Sequence, residues 1–239
     1  MRALGPEMHE LGYSVKEMRE AGYSAKEMYE AAYGPKALKK AGYTAWEMRE
    51  TWAEKDMRSA GYSAREMKDA GYDKKWMRVK GGHSAQEMKE AGWRPDELRE
   101  AGYSAQEMKE AGWQPVDLWK AHYSVEEMRE GGYSAQEMRR CMTVESMREA
   151  GYSAKEMKDA GFTVKRLRDA RYSDWDLKEA GFSAKEVHLV AKSMRSLLYT
   201  AKELKEAGYS AKELKKSGYT KEEMLEAGYK QGMFGIGWA

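Results

Sequence analysis

Ser153-Ala154-Lys155-Glu156-Met157-Lys158-Asp159-Ala160-Gly161 reads as a complete helix with both ends specified. A serine hydroxyl accepts from the free N–H groups of a first helical turn. A glutamate three residues later returns a bond to the serine N–H, so Ser153 and Glu156 form a capping box. Gly161 falls where a chain leaves a helix through a left-handed conformation. Phe162 follows at the position from which an apolar side chain folds back over the last turn. Thr163 then opens the next unit. Ten residues therefore make about two helical turns and a tight connection. The pattern recurs, with small changes, from Met8 to Gly228.

One apolar residue marks each unit, for example Met8, Met18, Met28 and Leu38 at one end, and Leu204, Leu214 and Met224 at the other. About 23 units fit the chain at a spacing of ten. Met48 to Met57 and Met138 to Met147 are nine apart, and Met77 to Met88 is eleven. Within the unit Ser24–Tyr33, Ala25, Met28 and Ala31 are spaced by three and share one side of a helix, and Tyr33 follows the turn on that side. Two turns fall far short of the ~12–15 residues that make an isolated helix marginal, so each unit must bury this stripe against its neighbours. Pro35, Pro95 and Pro115 stand at the first helical position, where a missing N–H has no helical partner to lose. Ala32, His122 and Arg171 replace the closing glycine, each at a cost of about 1 kcal/mol if φ stays positive.

The expected fold is an all-α solenoid, one very short helix per decapeptide, continuous as a single array. Residues 84–123 carry a longer period: SAQEMKEAGW-RPDELREAGY is followed by SAQEMKEAGW-QPVDLWKAHY. Either two decapeptides form one 20-residue layer, the reading favoured here, or the doubling records a duplication without structural meaning. Repeats are expected over 1–186 and 200–229. Between them, 187–199 loses its glycines and spaces Val187, Val190, Met194, Leu197 and Leu198 as one longer amphipathic helix. The apolar, glycine-rich tail 230–239 reads as a cover for the last open face or as an insertion tail for a partner.

The 239 residues carry a formal net charge of +2, with 34% charged residues of both signs interspersed in every unit. Such a surface offers no single-signed field for nucleic acid or an anionic membrane. Lys and Arg recur at two outward positions and Glu at two others, which predicts a self-pairing surface in which each pair contributes little. No apolar run approaches the ~20 residues of a membrane span. With repeat-like sequence from Met8 onward, no signal peptide is expected within this sequence. Cys141 stands alone, so no disulfide forms within the chain, which fits a reducing compartment or a fold with no need of oxidation.

The motif AGYSAKE(M/L)KEAGY, clearest in AGYSAKELKKSGYT (207–220), resembles tandem decapeptide repeats of microbial and algal proteins. The resemblance covers almost the whole chain. It implies a repeat architecture and brings no activity, cofactor or catalytic residue.

No catalytic, cofactor-binding or metal site emerges from the residues. The 18 methionines mostly hold the core position, where Leu and Val also occur, so they read as packing and not as soft-metal ligands. His9, His83, His122 and His188 have no metal-ligand spacing. His83 takes a tyrosine position and His122 a glycine position, both as drift within the repeat. There is no nucleophile elbow and no phosphate loop. The informative departures are aromatics at positions that are charged elsewhere: Tyr29, Trp46, Trp76, Trp119 and Trp175. They should lie on the outer surface, where aromatics serve as interface anchors. Phe234 and Trp238 in the tail join them as candidate partner contacts. Trp52, Trp93 and Trp113 occupy the turn position and should be core. These features point to a non-enzymatic scaffold subunit of a larger protein assembly, or alternatively to a free-standing solenoid that recognises a peptide or protein. No cofactor, nucleic acid or small-molecule substrate is expected.

Overall fold

The computed structural model describes residue 8, residues 10–188 and residues 199–230. These residues hold 21 α-helices, from Val15–Glu20 to Lys221–Glu226, most of them six residues long. The expected solenoid of two-turn helices, one per decapeptide, is what forms. The helix expected over 187–199 lies outside the described residues except at its ends, and so does the tail beyond Lys230.

Each helix starts and stops as its residues dictate. At Ala105–Glu110 the Ser104 hydroxyl accepts from the Glu107 N–H at 3.2 Å, and the Glu107 carboxylate accepts from the Ser104 N–H at 2.7 Å. At the other end the Gly112 N–H donates to the Lys109 carbonyl at 2.8 Å, and the Trp113 N–H to the Met108 carbonyl at 3.0 Å. This pair of bonds is a Schellman closure, and it needs φ of +71° at Gly112. Ala32, His122 and Arg171 take the same left-handed conformation, with φ of 60°, 66° and 66°.

The spacing errors are absorbed inside the turns. At the nine-residue steps the helix shrinks to four residues, Ala45–Met48 and Ala135–Met138, and the N–H groups of Trp52 and Met142 donate to the core methionine carbonyls. At the eleven-residue step the extra residue extends the last turn through Lys80 and Gly81. A Cβ on Gly81 would stand 2.6 Å from the Met77 carbonyl oxygen, so only glycine fits there. In all three cases the core residue stays fully buried.

The chain divides into two compact units, Met1–Gly132 and Tyr133–Ala239. In the first unit a helix packs most extensively on the helix two repeats later, and in the second Ala154–Asp159 packs so on Asp174–Glu179 and Ala201–Glu206 on Lys221–Glu226. Helices thus alternate between two columns, and twenty residues make one layer. The tyrosine that follows each turn ties the layers together. In the first unit the Tyr43 hydroxyl donates to the Tyr23 carbonyl at 2.7 Å, and Tyr123 to Tyr103 at 2.7 Å. In the second unit Tyr172 donates to Tyr152 at 2.6 Å, and Tyr219 to Tyr199 at 2.6 Å. Tyr199 reaches the Phe182 carbonyl at 2.6 Å, which keeps the same tie across the irregular segment. These phenols are buried, and burial pushes the Tyr103 and Tyr123 hydroxyls up to about 12.

Two expected core tryptophans depart from this scheme. Trp52 is buried as expected, whereas Trp93 and Trp113 at the same turn position are half-buried. Each has a lysine from two repeats earlier over its ring, Lys68 and Lys89, both at 4.6 Å.

Each tie exchanges a buried phenol and a buried carbonyl for one bond, so removing the hydroxyl leaves the carbonyl unsatisfied. Tyr103→Phe should cost about 1–2 kcal/mol in urea unfolding. Tyr13→Phe should be neutral, since Tyr13 is exposed at the start of the array. Equal effects of the two would contradict a structural role for the hydroxyl.

Candidate partner-binding surface

The basic residue just after the core position pairs with glutamate at several repeats, as the sequence suggests, but across layers and not as a free outward charge. Its long side chain lies half-buried along the next layer of its column. Arg99 is representative: its guanidinium stands 4.5 Å from the Tyr123 ring centroid and 3.0 Å from the Glu127 carboxylate. Lys89 donates to the carbonyls of Ala111 and Gly112 at 2.8 and 3.0 Å. The cation thus meets the negative end of a helix two repeats on, the face of its turn aromatic and, at several layers, the carboxylate that caps the following helix. The 20-residue layer brings that turn within reach of a side chain that would otherwise project into water.

These contacts set the electrostatics of the capping carboxylates. Burial pulls Glu107 up, but bonds from the Ser104 N–H and hydroxyl and the nearby Arg78 guanidinium outweigh it, holding the carboxyl below its ordinary value. The same balance lowers Glu87 and Glu127.

Grooves of 400–590 Å³ recur between the start of one helix and the helix two repeats later. One wall carries a turn aromatic and the capping Ser or Thr. The other carries the capping carboxylate and, two residues beyond the core position, a second acid. Glu127 and Glu130 play these parts in one groove, and Glu66 and Asp69 in another.

Tyr29, Trp46, Trp76, Trp119 and Trp175 are all exposed. Phe234 and Trp238 lie outside the described residues. The five are not equivalent. Tyr29 replaces a bridging cation and meets Trp52 edge-on at 5.1 Å, so it substitutes an aromatic contact for a cation–π one. Lys80 stands 4.9 Å over Trp76. Trp46, Trp119 and Trp175 make no ring contact among the described residues. Trp46 and Trp175 each line a groove. Val79, Val116 and Leu225 are also exposed, a signal that charge-to-aromatic substitution alone does not reveal.

Other polar residues behave structurally. His83 is buried in the tyrosine position, and neither ring nitrogen has a hydrogen-bond partner. Its Nδ1 is 3.9 Å from the Glu87 carboxylate, and Arg58 bonds the same carboxylate at 3.1 Å. Burial lowers the His83 pKa, Glu87 opposes that and Arg58 adds to it. Its main-chain carbonyl still accepts from Tyr103. Cys141 is half-buried, its thiol donating to the Met138 carbonyl at 3.4 Å, and burial pushes its pKa up, away from reactive thiolate character. Among the described residues no three His, Cys, Asp or Glu side chains cluster as metal ligands, and no helix is long and apolar enough to cross a membrane.

Two stability tests follow from these contacts. Lys89→Met keeps the aliphatic stem and removes the ammonium, and should cost about 1 kcal/mol in urea unfolding. Lys26→Met, at an exposed position without a bridging role, should cost nothing measurable. The second test concerns pH. His83 is neutral when folded and takes up a proton more readily when unfolded. Its contribution is therefore complete above the ordinary histidine value of 6.5 and is lost as pH falls below it toward the lower folded value. The capping carboxylates act in a separate window, below 4.5. His83→Phe should flatten the stability profile just below pH 6.5 while leaving the acid limb below pH 4.5 in place. An unchanged slope in the upper window would contradict a neutral buried imidazole.

No curated protein matches the chain. Residues 5–74, 52–125 and 122–192 match the family described as decapeptide repeat region, which takes in most of the sequence. The chain belongs to the decapeptide repeat family.

Proposed function

We propose that the chain is a non-enzymatic scaffold subunit that bridges or stabilises components of a larger protein assembly. The observation that carries this reading is the set of exposed indoles that make no ring or cation–π contact among the described residues: Trp46, Trp119 and Trp175. Each stands where most repeats place a charged side chain, and such aromatics supply binding energy at protein interfaces. Within the first unit the off-pattern aromatics fall at three different helical positions in two columns. That distribution suits several separate contacts better than one continuous groove. The alternative is a free-standing recognition solenoid, supported by the similar grooves between layers.

Chemical cross-linking of the protein purified gently from its native source tests this reading. The scaffold reading expects stoichiometric cross-links from lysines such as Lys185 and Lys230 to several subunits of one complex. A free monomer, or a single substoichiometric partner, would overturn it in favour of the recognition solenoid.

A further inference from the structure

The outward surface follows a charge rule. The residue two before the core position is most often basic, as at Lys16, Lys26, Lys36 and Arg65, and the residue two after it is most often acidic. Lys16 and Glu20 satisfy the rule within a helix at 3.9 Å. Between layers of a column the same two positions meet at Arg65, which donates to the main-chain carbonyl of Glu90 at 2.5 Å; Lys74, three before its core residue, pairs with the Glu100 carboxylate.

Trp46 breaks the rule. It stands where the cation belongs, and its indole is 71% exposed. The opposite wall of its 400 Å³ groove carries Asp69, which has no ion pair or hydrogen bond to a side chain among the described residues. Lys39, in the same groove, is already engaged by the Gly61 carbonyl, the Glu66 carboxylate and the Tyr62 ring. The groove therefore holds two carboxylates against one committed cation, beside a bare indole face. The groove at Trp175 differs, because Lys155 and Arg171 line it and supply cations from within.

We propose that Trp46 and Asp69 receive a lysine or arginine side chain from an extended segment of a protein partner. The aliphatic stem lies along the indole and the charged head meets the ring face and the carboxylate, taking the place that the chain's own cation holds in neighbouring repeats. An anionic ligand is repelled by Asp69, and a neutral apolar one leaves that carboxylate unpaired. The inference rests on the reading of the array as a protein-binding scaffold, and it adds the chemistry of one contact.

The test is a titration of the whole chain, followed at the Trp46 indole N–H, assigned with Trp46→Phe, and at the Asp69 backbone N–H by ¹⁵N NMR. The probe is the capped peptide Gly-Gly-Lys-Gly-Gly, compared with its norleucine twin. The lysine peptide should give a saturable shift at Trp46 and none at Trp119, and the norleucine peptide should bind about fivefold more weakly or less. Asp69→Asn should weaken the lysine peptide by about the same factor, and Trp46→Lys, which restores the repeat's own cation, should stop Asp69 from responding to it. Both positions are exposed, so the variants should keep the wild-type unfolding curve. Equal binding of the two peptides, indifference to Asp69→Asn, or no saturable shift would overturn the proposal. Because the titration reads the groove alone, its failure leaves the cross-linking result to decide the scaffold reading.

Discussion

A six-residue helix leaves most of its backbone donors and acceptors without an intrahelical partner, and this shortage shapes the rest of the structure. The capping box closes one end and the Schellman turn the other, so ten residues come close to satisfying their own main chain. Closure alone does not make so short a helix stable, because nucleation costs more than two turns return. The deficit is met between layers, by the tyrosine hydroxyl on the carbonyl two repeats earlier and by the cation on the turn two repeats later. These ties run in opposite directions along the same column, and each uses groups that the local motif leaves available.

The arrangement explains which irregularities are tolerated. A repeat holds its place through the core residue and the turn residue, not through its exact length. Nine- and eleven-residue spacings therefore change only the last helical turn, while Met48, Met77 and Met138 stay buried. Methionine suits such a core, since its flexible thioether fills gaps of varying shape. His83 marks the limit of tolerance: the imidazole occupies the tyrosine site but lacks the phenol's reach, and two ring nitrogens are left without hydrogen bonds.

The same bookkeeping locates the surface of interest. Where the array satisfies its own charges, it has little to offer a partner. Where an aromatic replaces a cation, one of two things happens. Tyr29 finds an aromatic neighbour in Trp52 and the layer remains closed on itself. Trp46 finds none, and Asp69 across the groove is left without a side-chain partner. Substitution at one helical position therefore differs in consequence according to what the next layer presents.

Helix ends, repeat length, the core stripe and the outward placement of Tyr29, Trp46, Trp76, Trp119 and Trp175 were legible in the residues, because capping and periodicity are local properties. The 20-residue layer was only hinted at between 84 and 123, since a decapeptide pattern is equally compatible with nearest-neighbour stacking. Packing between alternate helices decided it. That choice turned the residue after the core from a surface charge into a bridge such as Arg99, left Trp93 half-buried beneath Lys68, and set Trp46 opposite Asp69. None of these follows from spacing along the chain, because each depends on which turn lies within a side chain's reach some twenty residues away.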